Sequence, residues 1–206
     1  MSVVFIISAP SGSGKSTLVH RLLERDPGLL FSISHTTRQP RGQEVRDKAY
    51  HFVSREEFQA MLARDEFLEH AEVFGNLYGT HKGILERARA EGRDVLLDID
   101  VQGERQLKVK VPDAVSIFVL APSRHELAKR LRTRSEDSER VIERRLQGAA
   151  EEIRNFRAYD YVLVNRDVET SVDTLASIVK AERVRRARME PEVLNILATF
   201  ETAGCR

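Results

Sequence analysis

The sequence predicts an α/β fold in which a parallel sheet flanked by helices is interrupted by a mixed α/β insert and a helical lid. Short apolar, β-branched runs recur at residues 3–8, 95–99, 115–120 and 161–164. Charged stretches long enough for crossover helices separate them, as parallel strands require. The first run is apolar without alternation, the mark of a strand buried on both faces.

That first strand stops at Ala9-Pro10 and opens into a glycine-rich turn. Leu18, Leu22 and Leu23 follow at helical spacing, and Pro27-Gly28 ends the helix. Between residues 34 and 80 the character changes. A short segment at 50–53, turn chemistry at Pro40-Arg41-Gly42 and a helix over 55–64 predict an insert of mixed structure. Residues 123–157 are dense in Arg and Glu, with Leu146, Ala149, Ile153 and Phe156 as a narrow apolar stripe. They predict two charged helices with a mobile joint near 135–138. The stretch 170–200 predicts a helix interrupted at Pro191. The whole is expected to be one domain over 1–206: a core of 1–33, 82–121 and 159–206, an insert of 34–81 and a lid of 122–158.

With 206 residues, 41% of them hydrophobic, the chain can bury one proper core. A formal net charge of +1 gives no overall field for nucleic acid or anionic lipid, so neither is expected as a partner. The lone cysteine, Cys205, forms no intrachain disulfide and suits a reducing compartment. The apolar run 3–7 is too short for a membrane span or a signal segment, so a cytoplasmic protein is expected. The six histidines show no metal-ligand spacing.

Residues Ala9-Pro10-Ser11-Gly12-Ser13-Gly14-Lys15-Ser16-Thr17 match a relaxed P-loop with Ala in place of the first Gly, between a predicted strand and a predicted helix. Gly12 and Gly14 let backbone N–H groups turn inward around phosphate oxygens, and the following helix aims its positive end at the same anion. Lys15 reaches the β and γ phosphates. The expected cofactor is ATP with Mg²⁺, the ion held by Ser16 and, partly through water, by Asp98 and Asp100. These two carboxylates are expected on one face of a strand. Taken alone, they would equally suit a strand end or a helix start.

A P-loop identifies a nucleotide, not a reaction. The insert carries Ser34-His35-Thr36-Thr37-Arg38-Gln39-Pro40-Arg41, then Glu44, Tyr50, Phe67-Leu68-Glu69 and Gly75-Asn76-Leu77-Tyr78-Gly79-Thr80, followed by Asp98-Ile99-Asp100-Val101-Gln102-Gly103. In order and spacing these segments closely resemble guanylate kinase, particularly the bacterial enzymes, and the resemblance runs from the P-loop to Val164-Asn165. It implies a P-loop NTPase core with a GMP-binding insert. The implied reaction is reversible in-line transfer of the γ-phosphoryl group of ATP to GMP, or dGMP, within purine nucleotide metabolism. By the same resemblance Arg38, Arg41, Tyr50 and Tyr78 hold the acceptor phosphate, and Ser34, Glu69, Thr80 and Asp100 surround the guanine, with Glu44 and Asp98 in the same site. Asn165 belongs to the donor site. Arg134 and Arg145 are implied as lid residues that reach the transferring phosphate and complete a catalytic set with Lys15 and Arg38. Self-association is left open.

The chemistry suits those roles. Guanidinium groups form forked bonds to phosphate and keep their charge, although a single arginine is more often a solvated surface residue. Guanine presents N1–H and the N2 amine side by side, which one carboxylate such as Glu69 accepts together, while O6 accepts from a hydroxyl such as Thr80 or Ser34. Adenine would leave such buried groups unpaired, a mismatch worth a factor of about 10⁴ to 10⁵. Thr133 and Ser135 stand where the bacterial pattern usually has glycines, His81 where a small hydroxyl residue is common, and Arg166 where an acid is common. The effect of these departures on lid motion and donor choice is left open by the sequence. The alternative is a non-catalytic guanylate-kinase-like module that binds phosphopeptides, but such modules typically have degraded P-loops, whereas Gly14-Lys15-Ser16 is intact.

Overall fold

The computed structural model describes residues 2–40, 42, 44–45, 47, 49–73, 75–134 and 138–202, with backbone alone for Arg134, Glu201 and Thr202. The chain runs β1 (Val4–Ser8), α1 (Lys15–Arg25), β2 (Leu29–Phe31), β3 (His35–Thr36), β4 (His51–Phe52), α2 (Arg55–Ala63), β5 (Phe67–Val73), β6 (Asn76–His81) and α3 (Gly83–Glu91). It continues β7 (Asp94–Asp98), α4 (Val101–Lys110), β8 (Val115–Leu120), α5 (Arg124–Arg134), α6 (Glu139–Ile153), β9 (Tyr161–Val164), α7 (Val168–Arg183) and α8 (Arg186–Thr202).

Five strands form a parallel sheet in the order β2-β7-β1-β8-β9. Every residue of β1 is buried, because helices cover both faces. Phe5 and Ile7 pack with Leu18 and Leu22 of α1 and Val172 and Leu175 of α7. Val4 and Ile6, pointing the other way, pack with Ala88 of α3 and Leu107 of α4. β1 lies between β7 and β8, so its carboxyl end opens at the crevice where doubly wound sheets bind ligands.

The insert forms its own four-stranded sheet, β4-β3-β6-β5, parallel between β3 and β4 and antiparallel elsewhere. Phe58 of α2 stacks on Phe67 with ring centroids 4.5 Å apart. Gly79 makes that possible, since a Cβ there would stand 2.8 Å from the Phe67 ring.

Two expectations are corrected. Asp98 and Asp100 do not share a strand face. β7 ends at Asp98, and Asp100 is the N-cap of α4, with Oδ1 accepting the Gly103 N–H at 2.8 Å. The carboxyl-terminal helix breaks at Val184 and Arg185, while Pro191 lies inside α8. Beside that break the carboxylate of Glu182, 1% exposed, accepts from the Tyr161 hydroxyl at 2.6 Å, from Arg185 at 2.6 Å and from Arg188 at 3.2 Å. In the lid, Ile142, Leu146 and Ala149 are buried, whereas Ile153 and Phe156 are more than a third exposed. The expected joint falls largely outside the described residues.

Candidate active site

The P-loop is a tight turn from β1 into α1. Gly12 (φ 90°) and Gly14 (φ 93°) take left-handed conformations that L side chains rarely adopt. The Ser13 N–H donates to Pro10 O at 3.1 Å, folding the loop over itself. Gly14 offers no side-chain cap to α1, and the helix has no acidic residue in its first turn, so the first N–H groups remain for an anion. Ser16 and Thr17 sit exposed in that turn. Lys15 forms an ion pair with Asp98, and its Nζ lies 3.5 Å from Ile99 O.

Between the two sheets lies a cavity of about 220 Å³, lined by Lys15, Asp98 and Asp100 from the core and by Ser34, Tyr50, Glu69 and Tyr78 from the insert. Seven expected site residues thus meet in one space, with Ala71 and Val73 as its apolar wall. Arg38 stands beside it, with its side chain 10% exposed and Nη2 donating to both Glu44 oxygens at 2.9 Å. The Arg38 Cζ is 5.3 Å from the centroid of the Tyr50 ring, and Tyr50 meets Tyr78 edge-on at 5.9 Å. Burial raises the Tyr50 phenol above its usual range, which keeps it a neutral donor.

Glu69 is 4% exposed, and its Oε1 accepts the hydroxyl of the fully buried Thr80 at 2.5 Å. Burial pushes the Glu69 carboxyl up to about 7; the Thr80 hydroxyl acts against that shift and the neighbouring Asp100 adds to it. Thr80 has one proton and donates it to Glu69, so of the two hydroxyls expected for guanine O6, Ser34 remains. Thr80 instead orients the carboxylate.

Asn165 closes β9 and is 2% exposed; its Nδ2 donates to Ser13 O at 2.9 Å and its Oδ1 accepts from Ser171 Oγ at 3.1 Å. Its amide therefore braces the P-loop. Arg145 lies half-buried on α6. Arg41, Ser135 and the side chain of Arg134 lie outside the described residues. Among the departures, Thr133 donates to Lys129 O at 3.1 Å and so ties its hydroxyl to its own helix, His81 accepts the Gly83 N–H at 3.0 Å, and Arg166 is exposed.

Two contributors carry no role in the sequence reading. A Cβ on Gly103 would stand 2.5 Å from Glu69 Oε2, so the bare first turn of α4 makes room for the carboxylate. A glycine in a helix's opening turn is the signal that could have revealed it. Arg130 sends Nη1 to Ser13 O at 3.3 Å, a contact 117 residues apart in sequence that no local pattern announces.

The family model described as guanylate kinase matches residues 1–182. A guanylate kinase of Koribacter versatilis (strain Ellin345) is 58% identical over 205 residues, covering 98% of this chain and 88% of that protein. One from Escherichia coli (strain K12) is 50% identical over 189 residues, 91% of each chain. The crystal structure of guanylate kinase from Anaplasma phagocytophilum is similar with a TM-score of 0.76 at 39% identity, covering 91% of this chain and 89% of that one.

Proposed function

The chain belongs to the guanylate kinase family, and from that premise we infer how its cavity works. It is an ATP:GMP phosphotransferase, moving the γ-phosphoryl group of ATP to GMP and releasing ADP and GDP. A phosphopeptide-binding role is not favoured. The observation that carries the acceptor reading is the buried Glu69, held by Thr80 and facing a cavity shared with Lys15.

In this reading the ionised Glu69 accepts N1–H and the N2 amine of guanine while Ser34 donates to O6. Arg38, Tyr50 and Tyr78 hold the acceptor phosphate, with Arg41 as a second guanidinium. Glu44 keeps Arg38 extended toward it. Because recognition rests on base and phosphate, dGMP is accepted too. On the donor side, the N–H groups of residues 9–17 wrap the polyphosphate and Lys15 leaves Asp98 for the β and γ oxygens. Arg134 and Arg145 close from the lid and spread the charge of a loose, in-line transition state. Closure keeps water from taking the phosphoryl group.

The hydroxyl of Ser16 and the carboxylates of Asp98 and Asp100 are hard oxygen donors. Two carboxylates, too few for an all-protein cage, suit an ion that also binds phosphates and water. They would hold Mg²⁺, which supplies neutralisation of phosphate charge. Among the described residues no group of three or more His, Asp or Glu is disposed to hold a metal ion. No helix of the described residues is long and apolar enough to cross a membrane. A cytoplasmic site of action is supported by the single cysteine and by the nucleotide substrates.

The test is ADP release from ATP with GMP, dGMP, AMP, UMP or CMP as acceptor. GMP and dGMP are expected to turn over and the other three to be poor; equal rates with AMP would refute the base site.

A further inference from the structure

The P-loop is held from behind by a buried amide. Asn165 is fixed to the end of the parallel sheet, its own N–H donating to Leu120 O at 2.7 Å. Its Nδ2 donates to the carbonyl of Ser13, which is 1% exposed. Arg130 of α5 reaches the same carbonyl through Nη1 and donates through Nη2 to Asn165 O at 3.0 Å. Its Nε donates to Glu126 at 3.0 Å, which steadies the guanidinium. Behind Asn165, the hydroxyl of Ser171, 3% exposed on α7, donates to Oδ1.

We propose that Ser171 and Asn165 are positioning residues for the phosphoryl donor. An asparagine amide has two nearly isosteric orientations, one with N–H and one with C=O toward a given neighbour. The Ser13 carbonyl, which only accepts, selects between them: Nδ2 faces Ser13, and Ser171 holds that orientation by giving its proton to Oδ1. The flipped amide would set two carbonyl oxygens against each other. The peptide plane carries the consequence forward. The Ser13 C=O and the Gly14 N–H belong to one planar trans unit and point in opposite directions. Pinning that carbonyl outward onto Asn165 and Arg130 aims the Gly14 N–H inward, toward the polyphosphate. This also accounts for the glycine, because a Cβ on Gly14 would collide with Asn165 Nδ2. Arg130 extends the same carbonyl contact to the lid helix α5.

The inference rests on residues 9–17 being the donor loop. The experiment measures kcat and KM for each substrate, with melting temperature, in Ser171→Ala, Ser171→Thr, Asn165→Asp and Lys15→Ala. Loss of one neutral hydrogen bond behind the loop is expected to raise KM for ATP about two- to tenfold in Ser171→Ala, with KM for GMP unchanged. Ser171→Thr keeps the hydroxyl and is expected to restore KM for ATP. Asn165→Asp, which sets a carboxylate oxygen against the Ser13 carbonyl, is expected to exceed the Ser171→Ala effect. If it fails to fold, the two Ser171 variants decide the matter alone. An equal rise in both KM values, or no change in Ser171→Ala while Lys15→Ala abolishes turnover, overturns the proposal and leaves the donor loop standing. Full turnover in Lys15→Ala overturns the donor loop itself.

Discussion

A carboxylate that is 4% exposed beside a second acid is a poor ion until a partner with two N–H groups arrives. Guanine, the base proposed for this site, is such a partner, so its binding and the ionisation of Glu69 would be linked. Its carboxyl is pushed up to about 7 by burial, so kcat/KM for GMP is expected to rise with pH through about 7 and then level off. That limb should vanish in Glu69→Gln; an unchanged profile in the variant would contradict the assignment. Stability runs the other way. The fold holds a proton on Glu69 between pH 4.5 and about 7 that the unfolded chain has released. That contribution is complete below 4.5 and lost as pH climbs through about 7. Sequence alone suggested Glu69 through motif resemblance, but it left Thr80 and Ser34 as equal donors to guanine. Only the 2.5 Å contact separates them, because it commits the one proton Thr80 has.

At the scale of elements, the first turn of α4 does two jobs. Asp100 caps it, and Gly103 leaves the space that Glu69 fills. Gly103→Ala brings the two into conflict. Alanine favours the helix by about 1 kcal/mol over glycine, yet its methyl displaces a carboxylate that accepts charge-assisted bonds worth about 1.5–3 kcal/mol each. KM for GMP is therefore expected to rise about tenfold or more while KM for ATP and the melting temperature hold. A variant that instead loses both substrates equally would mean a damaged fold. Elements written in contiguous residues were legible in the sequence: β1, β8 and β9 as apolar runs, α1 from its leucine spacing, and the P-loop between β1 and α1. Elements set by distant partners were not. The bond that seats the buried Glu182 beside the helix break comes from Tyr161, and the duty of Asn165 depends on Ser13, 152 residues away. Propensity marks Pro191 as a poor interior residue, but the helix breaks earlier, at Val184 and Arg185, and Pro191 is carried inside α8.

Across the whole molecule, one cavity is built from two sheets that each supply half of it. Ser34 and Tyr50 line this cavity and Thr80 bonds the Glu69 that does, whereas their neighbours His35, His51 and His81 line a separate pocket. The three imidazoles cluster behind the acceptor sheet, with His35 4.7 Å from His51 and 5.7 Å from His81 between ring centroids. Asp47, Glu66 and Arg87 are the charged groups around them. Burial, then the charges of His51 and His81, lowers the His35 imidazole to about 4. The unfolded chain binds that proton near 6.5, so the contribution of His35 is present above 6.5 and is lost as pH falls toward 4. Melting temperature is expected to fall less steeply over that window in His35→Gln than in the wild type, and parallel curves would contradict this. Scattered histidines gave no hint of this in the sequence, since their meeting depends on the register of β3 with β4 and β6. In the function proposed for it, the cavity selects a guanine through one buried acid. Calorimetric titration of GMP into the wild type and Glu69→Gln at pH 8, with ATP as the control ligand, tests this most directly. The variant is expected to lose GMP affinity at least about tenfold and to keep ATP affinity. Equal GMP affinity in the two proteins would contradict it.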